Sequence, residues 1–470
     1  MDWVEKEYDT VRLGDKRLNA RATLLLKQFS NKPMESIPAS CKSWAEIKAA
    51  YRFFDNPAVT AKKIIKPHRI ATINRIKQHP IVLLIQDTTT LNYSGQTQRE
   101  DIGPLQQDNV RGLFLHPTIA MTPNKECLGI IDYEQWAREK LAHQTPKERS
   151  TKNRQRPIKE KESYRWIKGY KKANKLAGKM PDTHFIYIAD REGDIYDLYQ
   201  EADKMLNQSS ADWIIRATYD RAVYDENSIK KRSKMKKITK ESSSVGEIKF
   251  VLASSKTRKK REVTQHIFIK EVMLYPPKEK VKEGAIPIKT TVVIASEQNP
   301  PVGEKAIEWV LLTSISILNV DDALKIMQWY LCRWQIEIFF KILKSGCKIE
   351  KLQLNNQQRF NPCLALYLVI AWRILFLTML GRASPNLNSE CVFDPIEWQT
   401  VYVMIHRKKP PFIPPPLNAV LKMIAQLGGF VGRKSDGDPG PGVIWKGLNN
   451  LYEHIKARQI LLEVFGEIYG

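Results

Sequence analysis

The chain has 470 residues, with 75 Lys or Arg against 51 Asp or Glu and a formal net charge of +24. That length allows a large core and two or three domains, and that charge makes a polyanion the leading partner, nucleic acid ahead of a membrane surface. The cleanest apolar run, Leu364 to Leu380, is interrupted by Arg373 and reads as a buried helix, so no membrane partner is expected. The opening MDWVEKEYDTVR lacks the basic-then-apolar order of a signal peptide, and the six cysteines contain no CxxC pair. A zinc knuckle and a disulfide framework are thereby disfavoured, and reduced core thiols in a cytoplasmic protein are expected.

Residues 1–60 read as a small helical domain. Leu13-Gly14-Asp15 forms a turn, a helical pattern starts at Arg17 and Arg21, and WAEIKAAYRFF (44–54) forms a second helix. Arg17, Arg21, Lys42, Lys48 and Arg52 suit either a duplex or plain solvent. After a basic stretch, AKKIIKPHR, the run IVLLIQ (81–86) predicts a strand buried on both faces, and Asp87 stands at its exit. Leu113 to Met121 and Cys127 to Tyr133 predict two neighbouring strands. A polar, basic segment from Arg138 to Lys179 reads as a surface loop leading into a helix near Tyr164 to Leu176.

HFIYIA (184–189) predicts a second strand that ends in an aspartate, Asp190. Between about 212 and 313 short β-like runs (WIIRAT, VGEIKFVLA, TQHIFIKEVML, TTVVIAS, EWVLLTS) alternate with the basic stretches KKRSKMKK, KTRKKR and KEKVKEG. This pattern predicts a β-rich insertion with basic loops. YLCRWQIEIFFKILK (330–344) follows, with no Gly or Pro, and predicts one helix. At 3.6 residues per turn its apolar sector holds Trp329, Cys332, Ile336, Phe339, Phe340 and Leu343, while Tyr330, Arg333, Glu337 and Lys344 share another sector. Beyond it the chain reads as mainly helical, with a Pro-rich break at KKPPFIPPP (408–416), a Gly-rich turn at 428–442 and a last helix from about Trp445.

Asp87, Asp190 and Glu337 make a candidate constellation, two carboxylates at strand exits and one on a helix. Clustered carboxylates repel one another and are tolerated when hard cations neutralise them, which is the chemistry of metal-assisted phosphoryl transfer. Taken alone, these residues equally fit strand-end turn formers and a solvated helix face.

The spacing of Tyr330, Arg333, Glu337 and Lys344 resembles the YREK signature of bacterial cut-and-paste DDE transposases, the insertion-sequence family that contains the transposon-five transposase. IQDTT (85–89), DREGDI (190–195), GEKAIEWVLLTS (303–314), RWQIE (333–337) and LGGF (427–430) look like landmarks of that family, in order. LGDKR (13–17) and YRFF (51–54) extend a weaker likeness to the N-terminus.

The resemblance implies an α/β fold. A ribonuclease-H-like core at 61–380 would carry the insertion at 212–313, between a helical end-DNA-binding domain at 1–60 and a helical dimerisation domain at 381–470. It implies Asp87, Asp190 and Glu337 as catalytic ligands of two Mg2+ ions, with Mn2+ as a substitute. It implies Trp309 stacking on a flipped base, Tyr330 and Arg333 on the adjoining phosphate, and Lys344 and Arg216 on DNA backbone. Arg21 and Arg52 would meet the inverted repeats. The expected reaction is nicking, hairpin formation, hairpin opening and strand transfer of an insertion sequence, performed by a homodimer on double-stranded DNA. Trp334 lies near the catalytic sector and is equally suited to packing.

Overall fold

The computed structural model describes residues 2–106, 109–139, 156–205, 210–225, 228–252, 254, 259–433 and 435–466. Much of the expected basic loop, 140–155, and residues 256–258 of KTRKKR lie outside these. In chain order the strands are β1 (Ile81–Gln86), β2 (Thr89–Asn92), β3 (Gly103–Pro104), β4 (Arg111–Met121), β5 (Cys127–Trp136), β6 (His184–Ala189), β7 (Asp212–Arg216), β8 (Ala222–Asp225), β9 (Ser228–Lys234), β10 (Gly246–Leu252), β11 (Arg261–Leu274), β12 (Ile288–Glu297) and β13 (Glu308–Thr313). The chain divides into two compact units. A sheet unit comprises His79–Asp87 with His143–Arg333, and a helical unit comprises Met1–Gln78, Thr88–Ala142 and Trp334–Gly470.

In the sheet unit, β1, β6 and β7 run parallel, with Ile85 opposite Ile188 and Ala189 opposite Ile215. Their continuous apolar sequence is what two covered faces require, and every residue of β1 after Ile81 is buried. The helix Tyr164–Ala177 covers this region. Its Gly169 sits so close to Gln86 that a Cβ would lie 2.1 Å from that side chain, and Tyr187 donates to Gln86 Oε1 at 2.7 Å. Beyond β7 the direction reverses. β13, β12 and β11 follow as antiparallel neighbours, β8 and β10 pair with β11, and β9 pairs with β8. KKRSKMKK, expected as a loop, is instead the end of β9 followed by the helix Met235–Lys240, because pairing with β8 satisfies backbone groups of the strand.

The helical unit is built on Gln357–Ala383, a helix long and apolar enough to cross a membrane but with 89% of its most apolar window buried inside the fold. Against it pack Ala61–Ile76, Trp44–Asp55, Lys16–Asn31 and the β4–β5 hairpin. Ala61–Ile76 was not anticipated as a helix, since AKKIIKPHR carries a proline and many cations. Its buried residues Ile64, His68, Thr72 and Ile76 recur every four positions, a stripe that outweighs the backbone bond lost at Pro67.

That stripe carries a buried polar network. His68 Nε2 accepts from the Ile130 N–H at 2.9 Å, so its proton sits on Nδ1, facing Glu7 at 2.5 Å. Arg75 closes a bidentate pair on Glu7 and lies 4.4 Å from the Trp372 ring centroid. Burial alone would push the Glu7 carboxyl up, but His68 and Arg75 outweigh it and hold it at about 2. The stabilisation from a depressed carboxyl is complete above its ordinary value of 4.5 and is lost as pH falls toward 2. Glu7→Gln should therefore cost about 3 kcal/mol at neutral pH. It should also flatten the acid limb of a Tm-against-pH curve, as read by circular dichroism.

Candidate active site

One edge of the sheet unit collects the expected residues. Asp87 and Asp190 each follow, by two positions, the last paired residues of β1 and β6, so both leave the carboxyl ends of neighbouring parallel strands. Ligands of open α/β sheets bind at such ends. Arg216 ends β7, one residue past Ile215, which pairs with Ala189, and is therefore level with Asp190. β13 returns antiparallel with Leu311 opposite Arg216, which sets Trp309 at the same edge.

The side chains connect. The Arg216 guanidinium lies 5.6 Å from the Trp309 ring centroid, and Trp309 meets Tyr330 edge-on at 5.9 Å. Arg333 Nη1 donates to Asp87 Oδ2 at 2.7 Å, with only 11% and 16% of the two side chains exposed. Tyr330 is 3% exposed, and among the described residues its O–H finds no acceptor, although the Arg333 guanidinium lies near enough to act on the phenol oxygen. Burial pushes that phenol up, while Arg333 and Arg216 pull it down through charge.

The expected single helix from Tyr330 to Lys344 is not continuous. Val320–Leu331 ends, Cys332 and Arg333 form a turn closed by Cys332 N–H to Trp329 O and Arg333 N–H to Tyr330 O, and Trp334–Lys341 begins afresh. Anchoring Tyr330 on Trp309 and Arg333 on Asp87 favours a tighter backbone there than an α-helix supplies. The expected apolar sector survives: Cys332, Ile336, Phe339, Phe340 and Leu343 are buried, and Trp329 is half-buried. The expected polar sector does not form one exposed face, because Tyr330 and Arg333 are buried.

Glu337 and Lys344 belong to the helical unit, both half-buried. Lys344 lies in a π-helical turn, Ile342–Gly346, where burial lowers its pKa against the pull of Glu350. Trp334 does not pack away, being 59% exposed.

Three family models match the chain in order: "Transposase DNA-binding" over residues 1–59, "Transposase DDE domain" over 167–372 and "Transposase Tn5 dimerisation domain" over 369–460. The chain belongs to the Tn5-type DDE transposases. The fold is accordingly mixed α/β, with a ribonuclease-H-like DDE domain, a β-rich insertion and helical segments at either end. The transposase is an enzyme that acts on DNA, through DNA-binding and dimerisation domains, in a family that generally uses divalent metals.

The donors fit such an ion in kind. Asp87 and Asp190 offer hard carboxylate oxygens on adjacent strand ends, and the positive charge beside Asp87 is the Arg333 guanidinium. Among the described residues, however, no three or more His, Cys, Asp or Glu side chains converge at metal-holding distance.

In the N-terminal segment Arg21 is half-buried and Arg52 is exposed. The motifs around them are structural. Asp15 of LGDKR caps the Lys16–Asn31 helix by accepting from Arg17 N–H at 2.6 Å. Phe53 and Phe54 of YRFF are buried, and Phe54 stacks on Phe29.

One important residue, Asp194, was passed over in the sequence although DREGDI contains it. Its fully buried carboxylate accepts from Tyr199 Oη, the backbone N–H of Thr218 and Tyr219, and both Nε and Nη2 of Arg221, at 2.6 to 3.2 Å. It ties the turn after Asp190 to the segment following β7. Asp190, by contrast, accepts one bond within its own turn, from Glu192 N–H at 2.8 Å. Asp194→Asn should lower unfolding free energy by about 2–4 kcal/mol. Asp190→Asn should lower it by about 1 kcal/mol or less, both measured by urea titration.

Proposed function

We propose that this transposase performs cut-and-paste transposition of an insertion sequence. The reading is carried by the contiguous Arg216, Trp309, Tyr330, Arg333, Asp87 array beside Asp190 at one sheet edge. In this reading Asp87, Asp190 and Glu337 would hold two Mg2+ ions, with Mn2+ as a substitute. When bound, divalent ions activate the attacking oxygen and stabilise the leaving one in an in-line displacement.

The chain's own groups do the positioning. Arg333 offers a planar fork matched to phosphate oxygens, and the Tyr330 O–H, which finds no acceptor among the described residues, would donate to the same phosphate. Trp309, held edge-on by Tyr330 and flanked by Arg216, offers a face for a base extruded as the strand bends into a hairpin. Lys344 and Arg216 contact backbone. The order is nicking at the element's end, attack of the freed 3'-hydroxyl on the opposite strand to close a hairpin, hairpin opening, then strand transfer.

Residues 1–60, with Arg21 and Arg52, would read the inverted repeat. Residues 61–380 would perform the chemistry and 381–470 the pairing of two subunits in a synaptic complex. The reaction belongs to the compartment that holds the DNA, the bacterial cytoplasm and its nucleoid.

Incubation with a linear duplex bearing the element's ends and Mg2+ should give nicked, hairpin and excised products in sequence on a denaturing gel. Asp190→Asn and Glu337→Ala should bind the ends as tightly as wild type and cut at least about a thousandfold more slowly. Cutting that persists in either variant would sink the assignment. Trp309→Ala should nick normally yet accumulate about tenfold less hairpin; equal loss at both steps would make Trp309 structural. Arg333→Lys keeps the charge but should still slow nicking about tenfold or more.

A further inference from the structure

The Pro-rich loop of the C-terminal segment is built as a wedge. It runs from the end of the Pro395–His406 helix to the start of Leu417–Leu427. At its tip Phe412 is fully exposed and Ile413 is 78% exposed, and Val403 and Met404 on the preceding helix are exposed as well. Exposed apolar tips usually relax onto a surface, but here the backbone cannot fold back. Pro410, Pro411, Pro414, Pro415 and Pro416 restrict φ around the pair. Both feet are anchored: Arg407 N–H bonds Val403 O at 2.8 Å, Leu417 N–H bonds Leu387 O at 2.7 Å, and Asn418 N–H bonds Pro385 O at 3.1 Å.

The surroundings are cationic. Residues 398–435 contain six Lys or Arg and no Asp or Glu, and Arg407, Lys408 and Lys409 lie exposed immediately before the tip. We propose that Phe412 and Ile413 form an apolar wedge that enters the minor groove of duplex DNA outside the element's ends and opens a base step there. Arg407, Lys408 and Lys409 hold the flanking phosphates.

Rigid apolar side chains beside cations are what partial intercalation requires. Unstacking a step is costly, and a tip already ordered by proline adds little entropy loss to that cost. A second copy of the chain fits this surface less well. A two-fold contact would set the Arg407 to Lys409 run against its own image, without a carboxylate to compensate. The Pro441–Phe465 helix meanwhile offers a larger exposed apolar stretch, Ile460 to Phe465, for pairing subunits. The wedge owes nothing to the chemistry at Asp87 and Asp190, so a Glu337→Ala protein retains it.

The test uses full-length protein and a random-sequence duplex, free of end sequence and carrying 2-aminopurine at successive steps. Wild type should raise 2-aminopurine fluorescence on binding. Phe412→Ala, with an unchanged Tm, should abolish the rise and weaken binding about tenfold. A Lys408→Ala/Lys409→Ala protein should lower the slope of log K against log salt by about 1.8. Fluorescence that rises equally with Phe412→Ala would overturn the proposal. So would a Phe412→Ala protein that sediments as a monomer where wild type is a dimer, with duplex binding unaltered, because the tip would then be a subunit contact.

Discussion

The sheet unit is organised around an electrostatic constraint. Parallel pairing of β1 with β6 sets two aspartates at the same edge, and carboxylates in neighbouring positions repel each other. Arg333 answers that repulsion with a 2.7 Å pair to Asp87, in surroundings that leave both partners largely out of water. Such a pair is costly to desolvate and more costly to break on one side. It also explains why the helical run stops at Cys332. Keeping Arg333 on Asp87 and Tyr330 against Trp309 takes precedence over two more residues of α-helix.

A second layer keeps that edge in place. Gly169 lets its helix approach Gln86, the residue before Asp87, and Tyr187 fastens Gln86 from β6. Asp194 gathers four donors from the segment after β7 and a fifth from Tyr199, so the turn carrying Asp190 is joined to the strand carrying Arg216. Among the three aspartates, position decides the role. Asp194 is spent on internal donors, whereas Asp87 and Asp190 stand at the carboxyl ends of β1 and β6, Asp87 paired with Arg333. The β-rich insertion contributes through β13, whose antiparallel return pairs Leu311 with Arg216 and so brings Trp309, two residues away, to the same edge.

Much of this was legible because its signals are local. IVLLIQ and HFIYIA are short apolar runs ending in aspartate, and they became β1 and β6 with the boundaries expected. The apolar sector of the 330–344 stretch needed only periodicity. What escaped depended on partners distant in sequence. Ala61–Ile76 looks like a charged stretch until its four-residue stripe meets Glu7, Ile130 and Trp372. KKRSKMKK looks like a loop until β8 pairs with it. The break at Cys332 contains no Gly or Pro and is set by what Tyr330 and Arg333 touch, which no periodicity reports. Asp194 resembled its neighbours in DREGDI, since the five donors that define it come from other segments.

The Tyr330 hydroxyl is the unsettled term in this arrangement. A buried O–H with no acceptor among the described residues costs about 1–3 kcal/mol, yet the edge-on packing of the ring against Trp309 holds it in place. A phenylalanine would pack the same aromatic edge at no such cost. On the proposed reading the hydroxyl's acceptor is a phosphate oxygen of the bound strand, and part of the folding energy withheld at Tyr330 would return as binding energy.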